Sequence, residues 1–126
     1  MVILNMNKYS KVSKERLSTC DSRLQDIFNE LIKELDCSII CGFRGEEEQN
    51  KAFYMGKSKA IWGKSKHNKR PSLAVDAAPY PIDWNNHVRF VQMNDKIQAI
   101  AKRRGIKIKW GGAFKSFKDL SHWELV

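Results

Sequence analysis

The chain has 126 residues, 42% hydrophobic and 29% charged, with 23 Lys and Arg against 14 Asp and Glu for a formal charge of +9. That length suits one domain, residues 1–126, with a core of its own, and no apolar run approaches the ~20 residues of a bilayer span, which speaks against stable membrane insertion. The charge favours an acidic partner, whether nucleic acid, an anionic lipid surface or a bacterial cell-wall polymer, and does not choose among them.

Met1-Val2-Ile3-Leu4-Asn5 begins apolar, but Asn5, Asn7 and Lys8 interrupt it short of the roughly 7–15 apolar residues of a secretory signal, so the protein is expected to be made and kept in the cytoplasm. Three cysteines, an odd number without such a signal, point to reduced thiols. From Leu24 the apolar positions Leu24, Ile27, Phe28, Leu31, Ile32 and Leu35 follow helical spacing, which predicts an amphipathic core helix. Ser22 with Gln25 resembles its capping box, and Ser18 with Asp21 offers a start one turn earlier.

Cys37-Ser38-Ile39-Ile40-Cys41 is short and β-branched and predicts a strand ending at Gly42-Phe43-Arg44-Gly45. Its two cysteines would stand ~13 Å apart along that strand, too far to share a zinc ion, and read as small buried hydrophobes. Glu46, Glu47 and Glu48 suit the first turn of a short helix over 46–55 that stops at Gly56. Residues 57–72 are rich in Lys and Arg, contain Gly63 and Pro71, and predict a loop that brings His67 to the surface of a cleft. Leu73–Ala78 is an apolar strand except for Asp76, and a carboxylate there must be paired, protonated or bound to metal.

Pro79 and Pro81 end that strand, and Asp83-Trp84-Asn85-Asn86 leads into a second long helix with the stripe Phe90, Met93, Ile97, Ile100 and Ala101. Lys102, Arg103 and Arg104 suit its negative end and Gly105 its stop. Ile106, Ile108 and Trp110 alternate with Lys107 and Lys109 as a half-exposed strand, and Gly111-Gly112 turns out of it. Ser121–Val126 predicts a last strand with His122 and Trp123 on opposite faces.

The chemistry gathers in three residues. His67, Asp76 and His122 supply two imidazoles and a carboxylate, a donor set that suits zinc with one position left for water. Asp119, three residues before His122, is placed to act as the general base on that water. His87 reads as an ordinary histidine near a helix start, and Trp110 and Trp123 read as core aromatics.

Ser65-x-His67, Ser72-x-Ala74-Val75-Asp76 and Asp119-x-x-His122-Trp123 together resemble the family of zinc D-Ala-D-Ala carboxypeptidases and L-alanyl-D-glutamate peptidases, in its phage endolysin type. Gly42-Phe43-Arg44, Gln49 and Trp110-Gly111-Gly112 are similar to further landmarks of that family, and the likeness spans about residues 18–124. Ser72 stands where the family usually has Gly, eight residues separate His67 from Asp76 where six are common, and Asp119 replaces the more frequent Glu.

The resemblance implies an α+β fold of the Hedgehog and D-Ala-D-Ala peptidase type, with a small antiparallel sheet and flanking helices. It implies Zn2+ on His67, Asp76 and His122, Asp119 as catalytic base, and Arg44 and Ser65 toward the substrate. The expected activity is hydrolysis of a stem-peptide bond of bacterial peptidoglycan, L-alanyl-D-glutamate before D-Ala-D-Ala. The expected setting is host cell lysis by a monomer stored in the host cytoplasm until a separate pore protein releases it to the wall. Two other classes compete. A metal-dependent nuclease or nucleic-acid-binding protein would suit the charge, His67-Asn68 and Asn86-His87, but leaves Asp76, Asp119 and His122 without a role; a zinc-bearing wall-binding module would not need Asp119.

Overall fold

Polar side chains start the first two helices. Ser10 accepts the Ser13 N–H at 3.1 Å and opens α1, Lys11–Ser18, and Asp21 accepts the Arg23 N–H at 2.9 Å and opens α2, Ser22–Leu31. Each cap satisfies an N–H that a helix start leaves without an internal partner. The expected core helix is therefore present with Asp21, not Ser22, as its cap. It ends at Leu31, and Ile32 and Leu35 reach the core from the turn beyond. The structure, a computed structural model, describes residues 7–115 and 118–126; the apolar start Met1–Asn5 lies outside them.

The chain continues as β1 Cys37–Cys41, α3 Glu46–Tyr54, β2 Ala74–Pro79, α4 His87–Arg104, β3 Ile108–Trp110 and β4 His122–Leu125. The four strands form one antiparallel sheet in the order β1-β2-β4-β3, which with four helices makes the expected α+β fold. Gly105 ends α4 at φ 72°, a left-handed conformation that glycine adopts without strain. Arg103 and Arg104 do more than face the helix dipole, since both pair with Glu30 and tie α4 to α2.

Strand register decides which side chains meet. Residues opposite each other on neighbouring strands share a face, and successive residues alternate. Val75 stands opposite Trp123 and Asp76 opposite His122, so the first pair enters the core and the second faces the other side. In the core, Trp123 meets the edge of Phe28 at 6.1 Å and stacks with Trp110 at 6.4 Å. Its indole N–H reaches Asn94 at 3.1 Å, so neither tryptophan works as an exposed platform. With α2 and α4 filling this side with Phe28, Phe90, Met93 and Ile97, the opposite face of β2 and β4 is left for polar chemistry.

Candidate active site

Three donor atoms converge on that polar face. Asp76 Oδ1 lies 3.1 Å from His67 Nε2 and 3.0 Å from His122 Nδ1, and the two ring nitrogens are 3.3 Å apart. Asp76 and His122 meet because β2 and β4 pair there. His67 arrives from the loop after α3, on a short helical turn over Lys66–Asn68, and lines the cleft while remaining only 2% exposed. Ser65 caps this turn by accepting the His67 N–H at 3.1 Å, while Asn68 reaches back to the Ser65 N–H at 3.2 Å. The two extra residues between His67 and Asp76 leave the ligand distance short, because Ser72 pins the loop: its N–H donates to Thr19 and its carbonyl accepts from Asp21.

The outer partner of each ring fixes which nitrogen faces inward. The Gly42 carbonyl, 2.7 Å from His67 Nδ1, only accepts, so that nitrogen carries hydrogen. A Cβ at Gly42 would overlap Thr19 Oγ1 and the Arg16 carbonyl, so only glycine brings this carbonyl so close to α1. The Glu124 carboxylate, 2.8 Å from His122 Nε2, does the same for the second ring, and Lys66 holds Glu124 at 3.2 Å. His67 Nε2 and His122 Nδ1 are thus turned toward the anionic Asp76 oxygen.

Electrostatics shows what this arrangement demands. Burial is the largest influence and would push both imidazoles down, yet hydrogen bonding to and the charge of Asp76, joined by Cys41 at His67 and by Glu124 at His122, together outweigh it and hold His67 up at about 10 and His122 at about 9. Asp76 is driven the other way: burial would raise it, and the two histidines hold it well below the usual carboxylate range. Glu124 is lowered to about 2, first by its hydrogen bond to His122. The cluster favours positive charge at its centre, which protons supply and a metal ion could. A tetrahedral zinc about 2.0–2.1 Å from each donor would set its ligands about 3.3–3.4 Å apart, close to the triangle found here, and neutral nitrogen with carboxylate oxygen is its ordinary donor chemistry. The residues fit a zinc ion.

Asp119 stands beside this triangle. Its carboxylate lies within 4.8 Å of the donor atoms of Asp76 and His122 and accepts the Ser121 hydroxyl at 3.2 Å. Its place is set by Gly111, whose carbonyl accepts the Asp119 N–H at 2.9 Å and where a Cβ would overlap the Asp119 carbonyl oxygen. Arg44 reaches Asp76 Oδ2 at 3.3 Å and Gln49 Oε1 at 3.1 Å, so the guanidinium braces the carboxylate from behind. Gln49 is fully buried and spends its amide on Ser58 at 3.0 Å and the Ala60 carbonyl, binding α3 to the loop that carries His67. All of Arg44, Ser65, His67, Asp76, Asp119 and His122 line one cavity of about 310 Å³. His87 is exposed at the start of α4 and takes no part.

Three residues of the site escaped the sequence reading. Glu124 follows His122 by two residues on a strand, and that spacing alone was a signal that both face the site. Phe114, 5.9 Å from His122 by ring centres, walls the cavity and carried no signal. Cys41 is not a core residue like Cys37: a bulge between Ile39 and Cys41 breaks the alternation of β1 and sets Cys41 opposite Asp76. Its sulfur, with donor atoms of His67 and Asp76, forms a group within 4.8 Å.

Comparison with known proteins places the chain in a family. The curated peptidoglycan L-alanyl-D-glutamate endopeptidase CwlK of Bacillus subtilis is 30% identical over 107 residues, covering 75% of this chain. This chain spans 63% of that relative's length. The crystal structure of the L-Ala D-Glu endopeptidase ChiX of Serratia marcescens superposes with a TM-score of 0.82 at 23% identity, covering 98% of this chain and 96% of that one, and shows the same fold. The family model described as phage L-alanyl-D-glutamate peptidase matches residues 6–124. With the family model matching nearly its whole length, the chain belongs to the phage L-alanyl-D-glutamate peptidase family.

Proposed function

We propose that this chain is a zinc-dependent peptidoglycan peptidase that hydrolyses the L-alanyl-D-glutamate bond of stem peptides during phage-induced host lysis. The observation that carries the reading is the convergence of His67, Asp76 and His122 beside the carboxylate of Asp119. Zinc held by those three would supply Lewis acidity toward the scissile carbonyl and lower the pKa of water toward ~7. Asp119 takes a proton from the attacking water and returns it to the leaving amine. Arg44 holds Asp76 in place at 3.3 Å and lines the cavity, where its guanidinium can meet a developing oxyanion or a substrate carboxylate. Ser65 acts through the His67 backbone that it caps.

One hydrophobic core supports treating the chain as a single catalytic domain, and the reading takes it as a monomer. Among the described residues no helix is long and apolar enough to cross a membrane, and the phage-type family supports release to the wall by a separate pore protein. Turbidity of permeabilised Gram-negative cells tests the reading, with His67→Ala as control. Wild type is expected to clear the suspension and the variant not; equal clearing, or cleavage of DNA with muropeptides left whole, would put the nuclease reading in its place.

A further inference from the structure

The cavity is uneven in charge. Lys57, Lys59, Lys64 and Lys66 line it with Arg44, against Asp76, Asp119 and Glu124. Two of these acids are already committed, Asp76 to two histidines and Arg44, and Glu124 to His122 and Lys66. Arg44 and Lys66 each already pair with one of those acids. Lys57 and Lys64 differ: both are exposed, both line the cavity, and neither ammonium has an ion-pair partner among the described residues.

The backbone beneath them is built to hold them there. Each lysine follows a glycine of positive φ, Gly56 at 73° and Gly63 at 89°, where the chain turns in a way side-chain residues resist. The segment between is fastened at several points. Gln49 holds Ser58 and Ala60, Asn50 accepts the Trp62 N–H at 3.0 Å, and Asn68 accepts the Gly63 N–H at 2.9 Å. An ammonium on a fixed frame loses less freedom on pairing than one on a mobile loop.

We infer that Lys57 and Lys64 form a carboxylate-reading subsite for the acidic residue next to the scissile bond. The inference rests on the peptidase reading above and adds what the enzyme selects. A glutamate within a peptide carries one carboxyl onward in the chain and leaves the other free, so an L-alanyl-D-glutamate substrate brings an anion to within one residue of the cleaved bond. Amidation of that carboxyl removes the charge and keeps the shape. Because the anion is present in ground state and transition state alike, its recognition should act on KM and leave kcat nearly unchanged.

The test uses two synthetic stem peptides that differ only in whether the free glutamate carboxyl is amidated. The zinc-loaded wild type is expected to prefer the acid form about tenfold in kcat/KM, through KM, and the preference to shrink as salt rises. Lys57→Gln with Lys64→Gln should slow the acid peptide about tenfold, spare the amidated one and bring the ratio near one. Lys69→Gln, outside the cavity, should keep the preference. A second measurement separates this from the peptidase reading: calorimetric binding of both peptides to Asp119→Ala, which reports recognition without turnover. Tighter binding of the acid peptide that vanishes with the two lysines sustains the subsite even if the wild type cleaves neither peptide, which would sink only the peptidase reading. Equal binding of the two peptides, or a preference that survives loss of both lysines, overturns the subsite.

Discussion

His122 is held from behind as firmly as from the front. Glu124 lies 2.8 Å from its outer nitrogen and Lys66 grips Glu124, so removing that carboxylate frees the ring to turn. Glu124→Ala is expected to weaken metal binding about 10–100-fold in a chelator competition; unchanged affinity would mean the ring is fixed by packing alone. Asp119→Ala should leave one metal per chain and slow hydrolysis about 10²–10⁴-fold, and loss of the metal with the activity would make Asp119 a ligand. The histidines also set a pH dependence. In the metal-free protein they are raised from 6.5 to about 10 and about 9, so their stabilising contribution is full below pH 6.5 and lost as pH rises through 9–10. Glu124, lowered from 4.5 to about 2, contributes above pH 4.5 and loses that contribution as pH falls toward 2. A zinc ion bound there would displace the imidazole protons, so calorimetry in buffers of different ionisation enthalpy should detect proton release near neutral pH; uptake without release would contradict the proposed metal site.

Among the elements, the long helices were legible from an apolar period and α3 from its acidic first turn and Gly56, while α1, with neither, was not. The stripe from Leu24 located α2, and the stripe from Phe90 to Ala101 located α4. α1 has no such stripe: Val12 is exposed, and only Ser13 and Leu17 are buried. Its work is polar. Ser13 Oγ accepts the Ile39 N–H at 3.0 Å and Arg16 donates to the Ile39 carbonyl at 3.1 Å, covering the outer edge of β1 that no strand pairs. Ser13→Ala strands a buried N–H and should cost about 1–3 kcal/mol in denaturant unfolding; a loss within experimental error would show that water replaces the hydroxyl. The bulge in β1 was equally silent, since nothing in Cys-Ser-Ile-Ile-Cys marks where pairing slips, and it alone moves Cys41 from core to site. His67, Asp76 and His122 were legible because their donor chemistry is carried by residue type, whereas the cap of Ser65 on the His67 turn and the brace of Arg44 on Asp76 depend on how the folded chain brings them together.

At the scale of the whole molecule, the sheet divides labour between its faces. One face builds the core around Trp123, and the other joins donors 9, 46 and 55 residues apart in sequence. Trp123→Ala should therefore cost about 3–5 kcal/mol and disturb the site through the strand it shares with His122. The charge of +9 acts at longer range, so clearing of permeabilised cells should slow as salt rises and the Debye length falls below ~8 Å. The central claim, that the polar face is a metal-dependent peptidase centre, is tested most directly by mass analysis of purified stem peptides after incubation with metal-free and zinc-restored protein. The expected result is cleavage between L-alanine and D-glutamate only with zinc restored; intact peptides, or the same products without metal, would contradict it.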